Sequence, residues 1–308
     1  MTFPTLDETF RISRLQHSGS KARMVLDTDT YNEIDDQFAL TYALLSPDQL
    51  SVEAIYAAPF HNTRSAGPAD GMEKSYEEIL RLLDFLGWSA DGFAYRGSTA
   101  YLGAERAPQD NEAVRDLIDK ALASADDDPL YVVAIGAITN VASALLLAPE
   151  IIEKIVVVWL GGHNLNWPHS REFNLVQDVP AAQVLLDSGA PLVLVPCYGV
   201  TSHLLTTLAE LNEFIGGTSP VGDYLCQIFK EYRPDSFGAS SVIWDISTIA
   251  WLINSDWVPS DLVHSPLLTD QVTWSVDASR HFVRAANFVH RDPIFRDLFG
   301  KIRAYGGA

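Results

Sequence analysis

Cysteine is nearly absent. Only Cys197 and Cys226 occur in 308 residues, without paired spacing and without a histidine cluster nearby. A disulfide framework and a thiolate zinc site are therefore excluded as organising features, and both thiols read as reduced core residues. Basic residues are also scarce: 21 Lys and Arg stand against 40 Asp and Glu, a formal net charge of −19. That balance argues against docking on nucleic-acid phosphates or on an anionic membrane surface. No uninterrupted apolar run approaches the ~20 residues a membrane-spanning helix needs. The N-terminus lacks the basic-then-apolar layout of a secretory leader, and a cytoplasmic location is the expectation.

What the chain does contain is apolar material in alternating patterns. At 47% hydrophobic and 10% aromatic, it can bury one large α/β core or two smaller ones. β-Branched runs occur at Arg23–Asp27, Val52–Ala57, Leu130–Ile135, Ile155–Leu160 and Leu192–Val195. Helical patterns lie between them at Asp36–Leu45, Met72–Leu86, Asn111–Ala123, Val141–Leu147 and Ala181–Leu186. Strands apolar on both faces and separated by helices predict a mostly parallel, mixed β-sheet flanked by helices, with a Rossmann-like core. One domain is expected over 23–308, with 1–22 as a loosely attached polar lead-in. In the last third, helical segments are expected at about 207–231 and 241–253. Strands follow at Val272–Val276 and His281–Val289, then a terminal helix near Asp292.

The densest chemistry sits at the first strand end, where Asp27, Asp29, Asp35 and Asp36 fall within ten residues. Carboxylates so close repel unless a positive charge sits between them, and hard divalent cations take such oxygen ligands. The plainer alternative is that Asp35 and Asp36 only favour a helix start. Other polar residues also collect at carboxyl ends of strands: His61 and Asn62, Thr139 and Asn140, Gly161 and Gly162, then Glu172-Phe173-Asn174. Ligands of open α/β sheets gather there.

These landmarks resemble the nucleoside hydrolases, the inosine–uridine-preferring N-ribohydrolase family. Asp27, Asp29, Asp35 and Asp36 match its opening Asp-x-Asp and Asp-Asp. Gly136-Ala137-Ile138-Thr139-Asn140 matches its Gly-Pro-Leu-Thr-Asn turn, and Leu160-Gly161-Gly162 its Met-Gly-Gly strand end. Asn166 precedes Glu172-Phe173-Asn174 as in the family, and Trp244-Asp245 matches a late residue-plus-Asp pair. The resemblance implies hydrolysis of the N-glycosidic bond of ribonucleosides and Ca²⁺ as cofactor. It implies Ca²⁺ ligation by Asp29, Asp36, Asp245 and the carbonyl of Thr139, with Asp29 as general base. Asp35, Asn62 (or His61), Asn166, Glu172 and Asn174 would hold ribose. Trp244 and Tyr232 would meet the base. A homodimer or homotetramer is the implied assembly, and purine nucleosides are modestly preferred.

Three departures stand out. Five residues, Thr30-Tyr31-Asn32-Glu33-Ile34, separate Asp29 from Asp35 where the family usually has three, so Asn32 or Glu33 could join the site. Trp244 replaces the His that the inosine–uridine-preferring enzymes carry before the late Asp; it can stack on a base but donates no useful proton. The family's His-containing loop has no counterpart in Gly97–Asn111. His163 and His169 read as solvated loop residues near the base, and Asn140 and Asp178 as a turn residue and a helix cap. Two alternatives stay open. Val25 to Thr30 also resembles the nucleophile strand of haloacid-dehalogenase-type phosphatases, but Tyr31 stands where that motif wants Thr or Val, and its later elements are missing. The other alternative is a non-catalytic calcium- and ribose-binding homologue.

Overall fold

β-Branched residues crowd the five runs expected as strands, and every one of them forms. The computed structural model describes residues 3–17 and 19–307. Its strands are β1 (Ala22–Thr28), β2 (Leu50–Ala57), β3 (Ala94–Arg96), β4 (Leu130–Ala134), β5 (Ile155–Leu160) and β6 (Leu192–Val195). They are followed by β7 (Leu205–Thr206), β8 (Ser241–Val242), β9 (Ser260–His264), β10 (Leu267–Leu268), β11 (Trp274–Ser275) and β12 (Phe282–Ala286). The helices are α1 (Glu8–Arg14), α2 (Asp35–Leu44), α3 (Pro68–Phe85), α4 (Glu112–Leu122), α5 (Thr139–Leu147) and α6 (Phe173–Gln177). Then come α7 (Val179–Asp187), α8 (Leu208–Phe214), α9 (Pro220–Tyr232), α10 (Ile246–Ile253) and α11 (Arg291–Gly306).

Eight strands form one sheet in the order β3-β2-β1-β4-β5-β6-β12-β9. All pairings are parallel except β12 with β9, which is antiparallel. The expected single-domain, mostly parallel α/β architecture is therefore found. Helices cover both faces: Phe38, Leu82, Phe229 and Trp251 pack on one, and Val114, Leu145 and Leu185 on the other. Burial on both faces explains why β4, β5 and β6 are apolar without alternation. From β1 the connections run outward through β2 and β3, and from β4 they run the other way. Strand order reverses between β1 and β4, so the crevice beyond their carboxyl ends is where a ligand belongs. Among the described residues, no helix is long and apolar enough to cross a membrane.

The structure corrects several expectations. The segment ahead of β1 is docked, not loose. Asp7 caps α1, Leu15 is fully buried, and Arg11 donates to the Gly189 carbonyl at 3.0 Å. Glu8 accepts the Phe282 N–H at 3.0 Å, and Arg284 donates to the Leu15 carbonyl at 2.8 Å. The apolar payload of α1 is small and its arginines bury on carbonyls, so hydropathy alone reads it as tail. The expected helix over 207–231 is two, α8 and α9, because the chain breaks at Gly216-Gly217, with Gly217 at φ +68°. The expected 241–253 helix begins only at Ile246, since Ser241–Val242 pairs with Leu205–Thr206 instead. Val272–Val276 shrinks to Trp274–Ser275. Neither β3 nor β9 is visible in the periodicity. Leu15→Ala should lower unfolding free energy by about 2–5 kcal/mol, read from denaturant titration; a shift below about 0.5 kcal/mol would mean a loose tail after all.

Candidate active site

Asp29 lies just past the end of β1 at Thr28, while Asp27 lies within the strand and is tied to its neighbours. Asn140 donates to it at 2.7 Å and to the Ala57 carbonyl at 3.2 Å, while accepting from the Ser98 N–H at 2.8 Å and the Ser98 hydroxyl at 2.6 Å. Burial pushes the Asp27 carboxyl up to about 7, a rise that the Asn140 hydrogen bond moderates. Asn140 is thus the turn residue that ties β1, β2 and α5 together. Asp178 is the cap of α7 and also accepts from the Thr139 hydroxyl and the Leu102 N–H, both at 2.8 Å.

Asp29 is fully buried, and neither of its carboxylate oxygens has a hydrogen-bond partner. It lies against Gly136: a Cβ there would come 3.1 Å from the Asp29 Cγ, so the turn after β4 needs a residue without a side chain. Nearby, oxygens of Asp35, Asp36 and Asp245 all lie within 4.8 Å of one another, and all three residues are buried. The Thr28 hydroxyl donates to Asp36 at 2.5 Å, and the Trp244 N–H to Asp35 at 3.2 Å. Burial is the main force pushing Asp29, Asp35 and Asp245 well above the usual carboxylate range. Burial also raises Asp36, to about 7. The neighbouring charges that act on these four come from Asp29, Asp35, Asp36, Glu33 and Glu172, all negative.

A cavity opens onto this cluster. Asp35, Asp36, Asp245, Glu172 and Asn174 line it, together with Ile135, Asn32, Glu33, His163, Cys197, Tyr198 and Trp244. Glu172 caps α6, accepting the N–H groups of Gly162 at 2.9 Å, Asn174 at 2.8 Å and Leu175 at 3.0 Å. Burial outweighs those bonds and lifts its carboxyl to about 7. Asn174 donates to the carbonyls of Ile135 and Leu160, each at 3.1 Å, and so clasps the ends of β4 and β5.

Of the residues expected from sequence, Asp35, Asp36, Asp245, Glu172, Asn174 and Trp244 line this cavity, while Asp29 is neither in its wall nor in the cluster of three carboxylates, although Asp35, Asp36 and Glu172 act on its charge. Thr139, expected to ligate through its carbonyl, is not in the wall; its hydroxyl donates to Asp178 at 2.8 Å, and Ile135, four residues earlier, lines the cavity instead. Asn166 is exposed and outside the wall. Asn62 also stands outside, donating at 2.7 Å to Asn32, which does line the cavity. Tyr232 likewise stays out of the wall, its hydroxyl bonded to Glu33. His163 is not solvated: it is 3% exposed, and burial drives its imidazole down to about 4. Both Asn32 and Glu33 of the longer loop join the site. Arg64 pins that loop by donating to the Glu33 carbonyl at 3.0 Å and by lying 4.3 Å from the Tyr31 ring centroid. Sequence reasoning missed Ile135, Tyr198 and the burial of His163. A polar or aromatic residue just past a strand end was the available signal for the last two.

Asn140→Ala would strip Asp27 of its partner and leave a buried acidic group unsatisfied. The expected loss is about 3 kcal/mol of stability, measured by denaturant unfolding. An unchanged midpoint would show that this tie does not hold the strand ends.

Comparison with known proteins points one way. Residues 24–293 match the family model described as Inosine-uridine preferring nucleoside hydrolase. The non-specific ribonucleoside hydrolase RihC of Shigella flexneri is 28% identical over 269 residues, spanning 76% of this chain and 80% of that protein. The pyrimidine-specific ribonucleoside hydrolase RihA of Salmonella paratyphi A is 29% identical over 262 residues, with 76% and 80% coverage. In fold, the chain is similar to the purine-preferring ribonucleoside hydrolase from Gardnerella vaginalis, at TM-score 0.74, 22% identity, and 92% and 99% coverage.

Proposed function

The chain belongs to the inosine-uridine preferring nucleoside hydrolase family, and from that premise we propose that it is a Ca²⁺-dependent ribonucleoside N-ribohydrolase with a modest preference for purine nucleosides. The observation that carries the proposal is the set of buried carboxylates at the crevice, with two orphaned oxygens on Asp29 and only acidic groups named among the charges acting on Asp29, Asp35, Asp36 and Asp245. Native structures rarely leave such groups unsatisfied. Two unit charges 4.8 Å apart repel by roughly 3 kcal/mol at an effective dielectric of about 20. A bound cation would remove that penalty, and the donors fit a hard one: the carboxylates of Asp36 and Asp245, clustered with that of Asp35, and the unpartnered carboxylate of Asp29 nearby. The one thiol in the wall, Cys197, is held protonated by burial and by Glu172 and Asp245, so a soft thiolate ligand is not on offer.

Calcium supplies the charge that keeps these acids ionised and a grip for sugar hydroxyls. The chain's own residues do the rest. Asp29 takes a proton from the attacking water as general base. The carboxylates of Asp35, Asp36, Asp245 and Glu172 surround the sugar and favour the positive charge that grows as the bond to the base breaks. Asn174 has both amide hydrogens committed to backbone, so its Oδ1 remains for a ribose hydroxyl. Trp244, held by its N–H on Asp35, offers a face to the base, which supports the purine preference. Relatives named as non-specific and pyrimidine-specific make base choice the point most worth measuring. Family membership sets the phosphatase alternative aside.

The test is release of reducing sugar from inosine, guanosine, adenosine, uridine and cytidine, with and without chelator. Release should vanish with chelator, return with Ca²⁺, and be somewhat faster for the purines. No sugar from any of the five, despite bound calcium, would make this a binding protein. Asp29→Ala and Asp245→Ala should each lose calcium and most activity. Asn174→Ala should keep calcium-induced thermal stabilisation while KM rises about tenfold, as for one lost hydrogen bond. Full activity in that variant would remove it from the site.

A further inference from the structure

We propose that Tyr198, on the turn after β6, is a base-stacking residue of this enzyme, forming with Trp244 the aromatic wall against which the nucleobase lies. The inference rests on the ribohydrolase reading above and adds the surface that recognises the base. Tyr198 is held on three sides. Its N–H donates to His163 Nδ1 at 3.3 Å, and its carbonyl accepts from the Asn164 N–H at 3.0 Å. Its ring stacks on the His163 ring, with centroids 4.5 Å apart and planes 22° from parallel. Gly199, at φ +85°, lets the chain turn back beneath the Asn164 loop.

Despite this anchoring the ring remains 47% exposed and borders the cavity. A single exposed aromatic is ordinary on a protein surface. One whose backbone and one face are fixed by the neighbouring loop, and whose open part overlooks a carboxylate cluster, is a preorganised platform. Trp244 meets it edge-on at 5.7 Å between centroids, and Trp244 directly precedes Asp245. Both rings line the same cavity as Asp35, Asp36 and Asp245, so a base joined by one covalent bond to a sugar held there lies within reach of this wall. His163 is the positioning residue beneath. Buried and uncharged at neutral pH, it offers Tyr198 a flat ring without placing a cation in the wall. Tyr232, the residue the sequence suggested for this task, is engaged with Glu33 instead.

Stacking on a base is worth enough to read clearly in affinity. Tyr198→Ala should raise KM for inosine about tenfold or more, raise KM for uridine less because its single ring offers less area, and leave the Ki of free ribose unchanged. Tyr198→Phe, which keeps the ring and drops the hydroxyl, should behave like wild type. An unchanged KM for inosine in Tyr198→Ala would overturn the assignment. So would a ribose Ki that rises in step with KM, since a merely structural role disturbs sugar and base alike. Wild-type protein that turns over neither nucleoside would instead sink the hydrolase reading. Inosine would then be a plain ligand, and its calorimetric affinity for the two variants would still decide the role of Tyr198.

Discussion

Buried acidic side chains, Asp29, Asp35, Asp36 and Asp245, whose main neighbouring charges are all negative, are the constraint on which the rest of the molecule depends. Two helix N-termini point at them: Asp35 and Asp36 occupy the first turn of α2, and Asp245 is the N-cap of α10. A helix terminus stabilises a nearby carboxylate by about 0.3–1 kcal/mol, against roughly 3 kcal/mol of repulsion for each close pair. The dipoles reduce the strain and cannot cancel it. The cation proposed above would relieve what remains.

The scaffold keeps that arrangement by assigning structural work to the polar residues beside the functional ones. Asp27 and Asp29 are two apart at the end of β1, yet the first is tied to Asn140 and the second carries no hydrogen bond on its carboxylate. Thr139 and Asp178 lock the start of α5 to the start of α7. Asn174 joins the ends of β4 and β5. These ties lie around the switch point, where strand order reverses and no strand fills the gap. Loss of any of them would move oxygens whose mutual distances decide whether an ion fits.

Much of this was legible in the chain. Parallel strands buried on both faces announce themselves as uninterrupted β-branched runs, and the order of strand-end motifs identified the family. The limits have physical causes. The resemblance offered the Thr139 carbonyl as a ligand, but a backbone carbonyl has no residue signature, and of that stretch it is Ile135 that lines the cavity. Asn166 and Tyr232 lie on loops and helix ends whose direction depends on remote packing. His163 read as solvated because burial of a loop residue comes from what folds over it, here Tyr198, Trp167 and His169. The lead-in read as loose because α1 docks through Arg11, Arg14 and main-chain carbonyls more than through apolar area.

What the sequence determined by itself was the alternation of strands and helices, the identity of the acids, and their place at strand ends, because each is written in local spacing. What only the tertiary structure decided was which oxygens meet. Asp245 lies 209 residues after Asp36 in the chain and reaches it only because the last helices pack back across the sheet. Likewise Tyr198 and Trp244 become one wall only when two separate turns fold over the same crevice. Distance along a chain carries no information about such meetings; packing does.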